Sequence, residues 1–123
     1  MAREIAEATA RTEGDVRAAW RRLHGAHALV LDEAGDIRMA NPFSAVPTPF
    51  RVQAAGKDWF ANCAWDSFGI GAALHVDSII DTECADCHAP IRFQVRAGRP
   101  DDIDLVFHVL VPAISWWEDI GFT

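Results

Sequence analysis

Three features of the sequence point to an α+β architecture. Residues 2–24 place apolar side chains at helical spacing, the chain from Phe50 onward alternates apolar and polar residues as strands do, and one apolar helical stretch is entered directly from a strand near Cys63. The expected arrangement has two parts. Residues 1–40 form a partial winged-helix-like segment, and residues 41–123 form a small mixed or antiparallel sheet with one helix packed on it.

Composition sets the outer limits. With 123 residues, half of them hydrophobic and 24% charged, the chain can build a real core and has no disordered character. The net charge of −7 is unevenly spread: residues 1–40 carry six basic and seven acidic side chains, residues 41–123 five and eleven. An acidic body argues against phosphate-backbone binding and favours a small-molecule or metal ligand over nucleic acid. The sequence has no apolar run of membrane-spanning length and no leader-like start, so a cytoplasmic protein without membrane contact is expected. Three cysteines, an odd number, fit reduced thiols better than a disulfide framework.

The elements follow in order. Residues 2–10 hold good helix formers. Thr12 or Asp15 can cap a second helix reaching His24, with Val16, Ala19, Trp20 and Leu23 as its apolar stripe and Gly25 as its end. Ala28–Leu31 and Ile37–Met39 flank an acidic turn and read as a hairpin. Two helices and a hairpin resemble the later part of a winged helix. Arg17, Arg21 and Arg22 suit phosphate contact, but the local charge balance favours a structural cap packed on the following residues. Residues 41–50 hold three prolines and two phenylalanines; they are expected to be irregular, a stiff apolar loop that walls a pocket or packs over the sheet.

Strands are expected at 50–54, 59–62, 77–82 and 91–96, with turns at 55–58 and 98–102. Leu105–Val111 is almost continuously apolar and reads as a strand buried on both faces, in which His108 would be a core residue. Ser115 starts a possible last helix. Gly69 and Gly71 weaken the Cys63 helix but let neighbours approach closely.

The chemistry concentrates in two places. Cys63 stands where the helix begins and Asp66 follows three residues later, on the same face of the first turn. The helix N-terminus is expected to favour the thiolate, making Cys63 a nucleophile or soft-metal ligand with Asp66 as proton carrier. The plainer alternative is a buried small thiol beside a capping carboxylate. The second place is Glu83-Cys84-Ala85-Asp86-Cys87-His88, between two strands. A C-x-x-C turn can grip zinc, copper or another soft ion, with His88 adding a nitrogen, although a closed zinc site would have to recruit Cys63, His108 or another chain. A plain structural turn and a redox dithiol are its alternatives.

The run Asn62-Cys63-Ala64-Trp65-Asp66, entered from a hairpin and followed by an apolar helix, resembles the first catalytic motif of the alkylmercury lyases. The turn through Cys84 to Ala89-Pro90, the strand after it and the run ending Val111-Pro112 continue the likeness over most of residues 28–123. The resemblance implies protonolysis of a carbon–mercury bond, with mercury as substrate metal and no further cofactor required. In it, Cys63 matches the first thiolate and Asp66 the proton relay. The second catalytic cysteine of that family falls at Thr123. Cys84 falls on a cysteine read as structural in the family, and Cys87 is additional. A shortened or divergent lyase is thus expected; its alternative is a non-catalytic thiol module, open to a regulatory role, that binds metal through Cys63, Cys84, Cys87 and His88.

Overall fold

The computed structural model describes residues 1–101 and 104–121. Helix α1 (Ala2–Thr9) and helix α2 (Glu13–Gly25) come first. Thr12 caps α2 through a reciprocal box: its Oγ1 accepts from the Asp15 N–H at 3.1 Å, and the Asp15 carboxylate accepts from the Thr12 N–H at 3.2 Å. Ala2, Ala6, Val16, Trp20 and Leu29 close into a small apolar core. Leu23, expected in the stripe, is instead exposed. It lies past the point where the short α1 can cover α2.

Arg17 is spent within the fold. It donates to the Gly35 carbonyl at 3.1 Å, pairs with Asp36 at 3.3 Å and lies over the Trp20 ring. Helix α2 is thereby clamped to the hairpin of β1 (Val30–Leu31) and β2 (Ile37–Ala40).

One eight-stranded sheet runs through the molecule in the order β1-β2-β3-β5-β4-β6-β7-β8, every paired neighbour antiparallel. Its other strands are β3 (Phe43–Ser44), β4 (Arg51–Ala54), β5 (Lys57–Ala61), β6 (Ser78–Glu83), β7 (Pro90–Arg96) and β8 (Arg99–Pro100). Strand β3 corrects the expectation that residues 41–50 hold no regular structure. Prolines remove donors at 42, 47 and 49 only, so Phe43 and Ser44 keep theirs and bridge β2 to β5. The remainder of the segment is anchored. Thr48 Oγ1 donates to the Ala61 carbonyl at 2.6 Å, fixing the loop to the end of β5.

Both hairpin turns are tighter than expected. Ala55-Gly56 and Ala97-Gly98 each turn the chain with two left-handed residues, so Lys57 and Arg99 already belong to strands. Asp102, at the end of the expected acidic turn, lies outside the described residues.

Helix α3 (Ala64–Leu74) crosses over β4, carrying the chain from β5 to β6. It packs Ile70 on Val52, Ala54, Ile80, Phe93 and Val95, the inward residues of three adjacent strands. The two glycines are required by contact. A Cβ at Gly69 would lie 2.9 Å from Pro42 Cβ, and one at Gly71 would lie 2.7 Å from Ser78 Oγ and 3.2 Å from the Val76 carbonyl. Alanine is the better helix former by about 1 kcal/mol, yet Gly71→Ala is expected to destabilise the chain by about 1–3 kcal/mol through overpacking. Urea unfolding measures this; equal or higher stability would refute the tight contact.

The largest departure concerns residues 105–111. They form no strand and are not buried; Val106 is 91% exposed and Leu110 74%. Contact with β7 continues one residue past β8, where the Asp101 N–H donates to the Gln94 carbonyl at 2.8 Å and the Gln94 N–H donates to the Asp101 carboxylate at 3.0 Å. The chain then leaves the sheet and runs as an extended strap, followed by a 3-10 helix at Ala113–Glu118. That short helix stands where a last helix was expected from Ser115, and Phe122 of that stretch lies outside the described residues. No helix among the described residues is long and apolar enough to cross a membrane.

Candidate active site at the start of the crossover helix

Cys63 is the N-cap residue of α3, held in extended conformation at the exit of β5. Asp66 rises from the first turn beside it. Asn62 binds the pair to the preceding loop: its Nδ2 donates to Asp66 Oδ2 at 2.9 Å and to Asn41 Oδ1 at 3.0 Å. Those two acceptors fix the orientation of the amide, because the flipped group would oppose oxygen to oxygen. The Asn62 Oδ1 is buried and finds no partner within the described protein.

These groups line a cavity of about 350 Å³. Met39, Asn41 and Phe50 form one wall, so part of the proline-rich segment both packs on the sheet and shapes the pocket. The strap forms the other wall with Phe107, His108 and Val109. Phe107 meets Trp65 edge to face, ring centroids 6.0 Å apart, and Trp116 Nε1 donates to the Val111 carbonyl at 2.7 Å. A larger, open groove of about 480 Å³ lies at the far end of β4 and β5, lined by Lys57, Asp58, Asp77 and Arg96, and holds no thiol.

Electrostatics at Cys63 differ from the expectation. Burial pushes its thiol above the ordinary value, and the negative charge of Asp66 adds to this; the Asp66 and Trp65 backbone amides pull the other way without prevailing. The helix N-terminus therefore does not yield a ready thiolate. Burial also raises the Asp66 carboxyl, while the hydrogen bond from Asn62 and the contact with Cys63 lower it. Thiol and carboxyl are thus both half-buried and both raised, side by side at the start of α3. Removing the Asn62 amide in Asn62→Ala is expected to move the Asp66 carboxyl further upward. Carbon-detected NMR titration of that carboxyl measures the shift, and a downward or absent shift would remove Asn62 from this role.

The second thiol cluster stands apart. Cys84, Cys87 and Cys63 are all free, with Cys87 exposed. Strands β5 and β6 flank β4, so the ends that carry Cys63 and Cys84 are about two strand spacings, roughly 10 Å, apart. The Cys84 thiol is lowered by the backbone amides of Cys87 and Asp86 and by the Cys87 side chain, whereas Cys63 responds to Asp66 and Trp65. His88 Nδ1 contacts Glu83 Oε1 at 3.0 Å. Among the described residues, no three His, Cys, Asp or Glu side chains converge on one ion position. The expected closure of a zinc or copper site by Cys63, Cys84, Cys87 and His88 thus lacks support. His108 is an exposed residue of the strap and not a core histidine, because the strand expected to bury it does not form. Thr123, where the second family cysteine falls, lies outside the described residues.

Sequence reasoning placed Cys63 and Asp66 but assigned nothing to Asn62, Trp65 or Phe107. Asn62 and Trp65 stood inside the quoted motif; the partner of the first is 21 positions earlier, and that of the second 42 positions later.

No curated protein matches the chain. Among solved structures, the mercury-bound form of MerB2 superposes with a TM-score of 0.64 at 25% identity, covering 82% of this chain and 49% of that one. This chain therefore spans about half the length of that structure. The family model for alkylmercury lyase matches residues 43–123, which include both cysteine clusters and the whole of α3. By that match the chain belongs to the alkylmercury lyase family.

Proposed function

We propose that the Cys63 cavity binds organomercurials and cleaves their carbon–mercury bond by protonolysis, in the cytoplasm where thiols stay reduced. The observation that carries this reading is the pairing of a half-buried thiol with a half-buried carboxyl, each raised by burial, in one cavity. Mercury is the substrate metal. A soft thiolate is its natural ligand, and the relative whose crystal structure holds mercury lends the same direction.

The steps balance with one proton. The Cys63 sulfur displaces an anionic ligand from R–Hg–X as its proton passes to Asp66, giving R–Hg–S. Coordination by thiolate makes the carbon more basic. Asp66 then delivers the proton to carbon, the electron pair of the C–Hg bond becomes the C–H bond, and RH departs while mercury stays on sulfur. With threonine at position 123, the second sulfur on mercury comes from a small thiol in solution, which gives its own proton to the solvent as its thiolate replaces the departing carbon. Asn62 keeps Asp66 aimed into the cavity, and the Trp65–Phe107 contact forms one side of it.

The test is headspace detection of hydrocarbon from an alkylmercury halide, with a monothiol present. Release that depends on the protein and rises to saturation with monothiol is expected. A chain that carries mercury on Cys63 by mass spectrometry but releases no hydrocarbon would overturn the catalytic reading; a chain that carries none would overturn binding as well.

A further inference from the structure

We propose that Cys84 and Cys87 form a second site, a two-thiolate grip for inorganic Hg(II), separate from the Cys63 cavity. The turn that carries them is closely defined. Strands β6 and β7 stay paired as far as Glu83 and Pro90. Beyond that pair the Cys84 N–H donates to the Ala89 carbonyl at 2.9 Å, and the Cys84 carbonyl accepts from the His88 N–H at 3.0 Å. The second bond spans four residues and winds 84–88 into a single turn of helical type. Positions three apart in such a turn share a face, with Cβ atoms about 5–6 Å apart, and Cys84 and Cys87 are three apart.

The contact of His88 Nδ1 with Glu83 Oε1 ties the neck of the turn from outside. Both thiols are free, and Cys87 is open to solvent. No third donor completes the cluster among the described residues. Zinc asks for four ligands. Two thiolates satisfy a soft ion that prefers sulfur and low coordination, and Hg(II) is such an ion. Each thiol gives up one proton as its sulfur–mercury bond forms, so binding one ion releases two protons and changes no oxidation state. The proposal goes beyond the Cys63 chemistry and does not depend on it.

The experiment uses the full chain with Cys63→Ser, which isolates the turn. Reduced protein is titrated with mercuric chloride in thiol-free, weakly buffered solution, then challenged with excess small monothiol and dialysed. One mercury per chain is expected, with two protons released, a sulfur-to-mercury ultraviolet absorption that saturates at one equivalent, and the mass of a single chain plus one ion. Adding Cys87→Ser, an exposed change that leaves the fold intact, is expected to lose that ion to the monothiol. His88→Ala is expected to keep it. The proposal is overturned if the Cys63→Ser chain retains no mercury, if Cys87→Ser retains it, if His88→Ala loses it, or if the mass shows one ion shared by two chains.

Discussion

Cys63→Ser is expected to reduce hydrocarbon release from an organomercurial to the solution rate and to eliminate the mercury adduct at this position. The two side chains are nearly the same size, so the difference is chemical. A hydroxyl is a hard donor that holds its proton far more tightly than a thiol and offers mercury no comparable bond. The fold should not suffer, because Cys63 sits at the N-cap of α3 without a side-chain capping bond, and serine is among the preferred residues there. Thermal unfolding at or above the wild-type midpoint would certify the variant. Release that persists at the wild-type rate would remove Cys63 from the chemistry.

Asp66→Asn is expected to separate binding from turnover. The amide keeps the shape of the carboxyl and can still accept from Asn62, but it has no proton to give. Loss of a positioned general acid costs about 10²–10⁴ in rate. The Cys63 adduct should therefore form and persist while hydrocarbon release falls by that factor; release within threefold of wild type would place the proton elsewhere.

The pH profile tests the same assignment. The proposed mechanism requires Asp66 ionised and Cys63 protonated at the outset. Burial raises both groups, so release should climb as pH rises through an Asp66 value above the ordinary carboxylate range. It should fall only above the ordinary thiol range, where Cys63 has lost its proton. Asp66→Asn should erase the acidic limb. Single-turnover release across pH measures both limbs, and an acidic limb at or below the ordinary carboxylate value would contradict a buried relay.

The sequence foretold the strands and the helix because their signals are local. Alternation in β4, β6 and β7 and the Thr12 box of α2 are written in neighbouring residues. The site was half legible for the same reason. Cys63 and Asp66 are three apart, whereas Asn41 and Phe107 reach the site only through tertiary structure. The state of the Cys63 thiol was misjudged because helix position can be read from a pattern and desolvation cannot. The apolar run 105–111 was misjudged for a related reason. Hydrophobicity states that a segment seeks cover, not which surface supplies it, and here part of that surface is the Trp65 ring beside the thiol.

That strap has an energetic consequence. It is held over the cavity by the Trp65–Phe107 ring contact, and the 3-10 helix after it by the stack of Trp117 on His27 at 4.1 Å, with no strand pairing along 104–111, so lifting it breaks none of the sheet. Local opening of such a segment costs a small fraction of global unfolding. Access to the Cys63 cavity and survival of the fold are thus governed by different free energies, and either can be altered without the other.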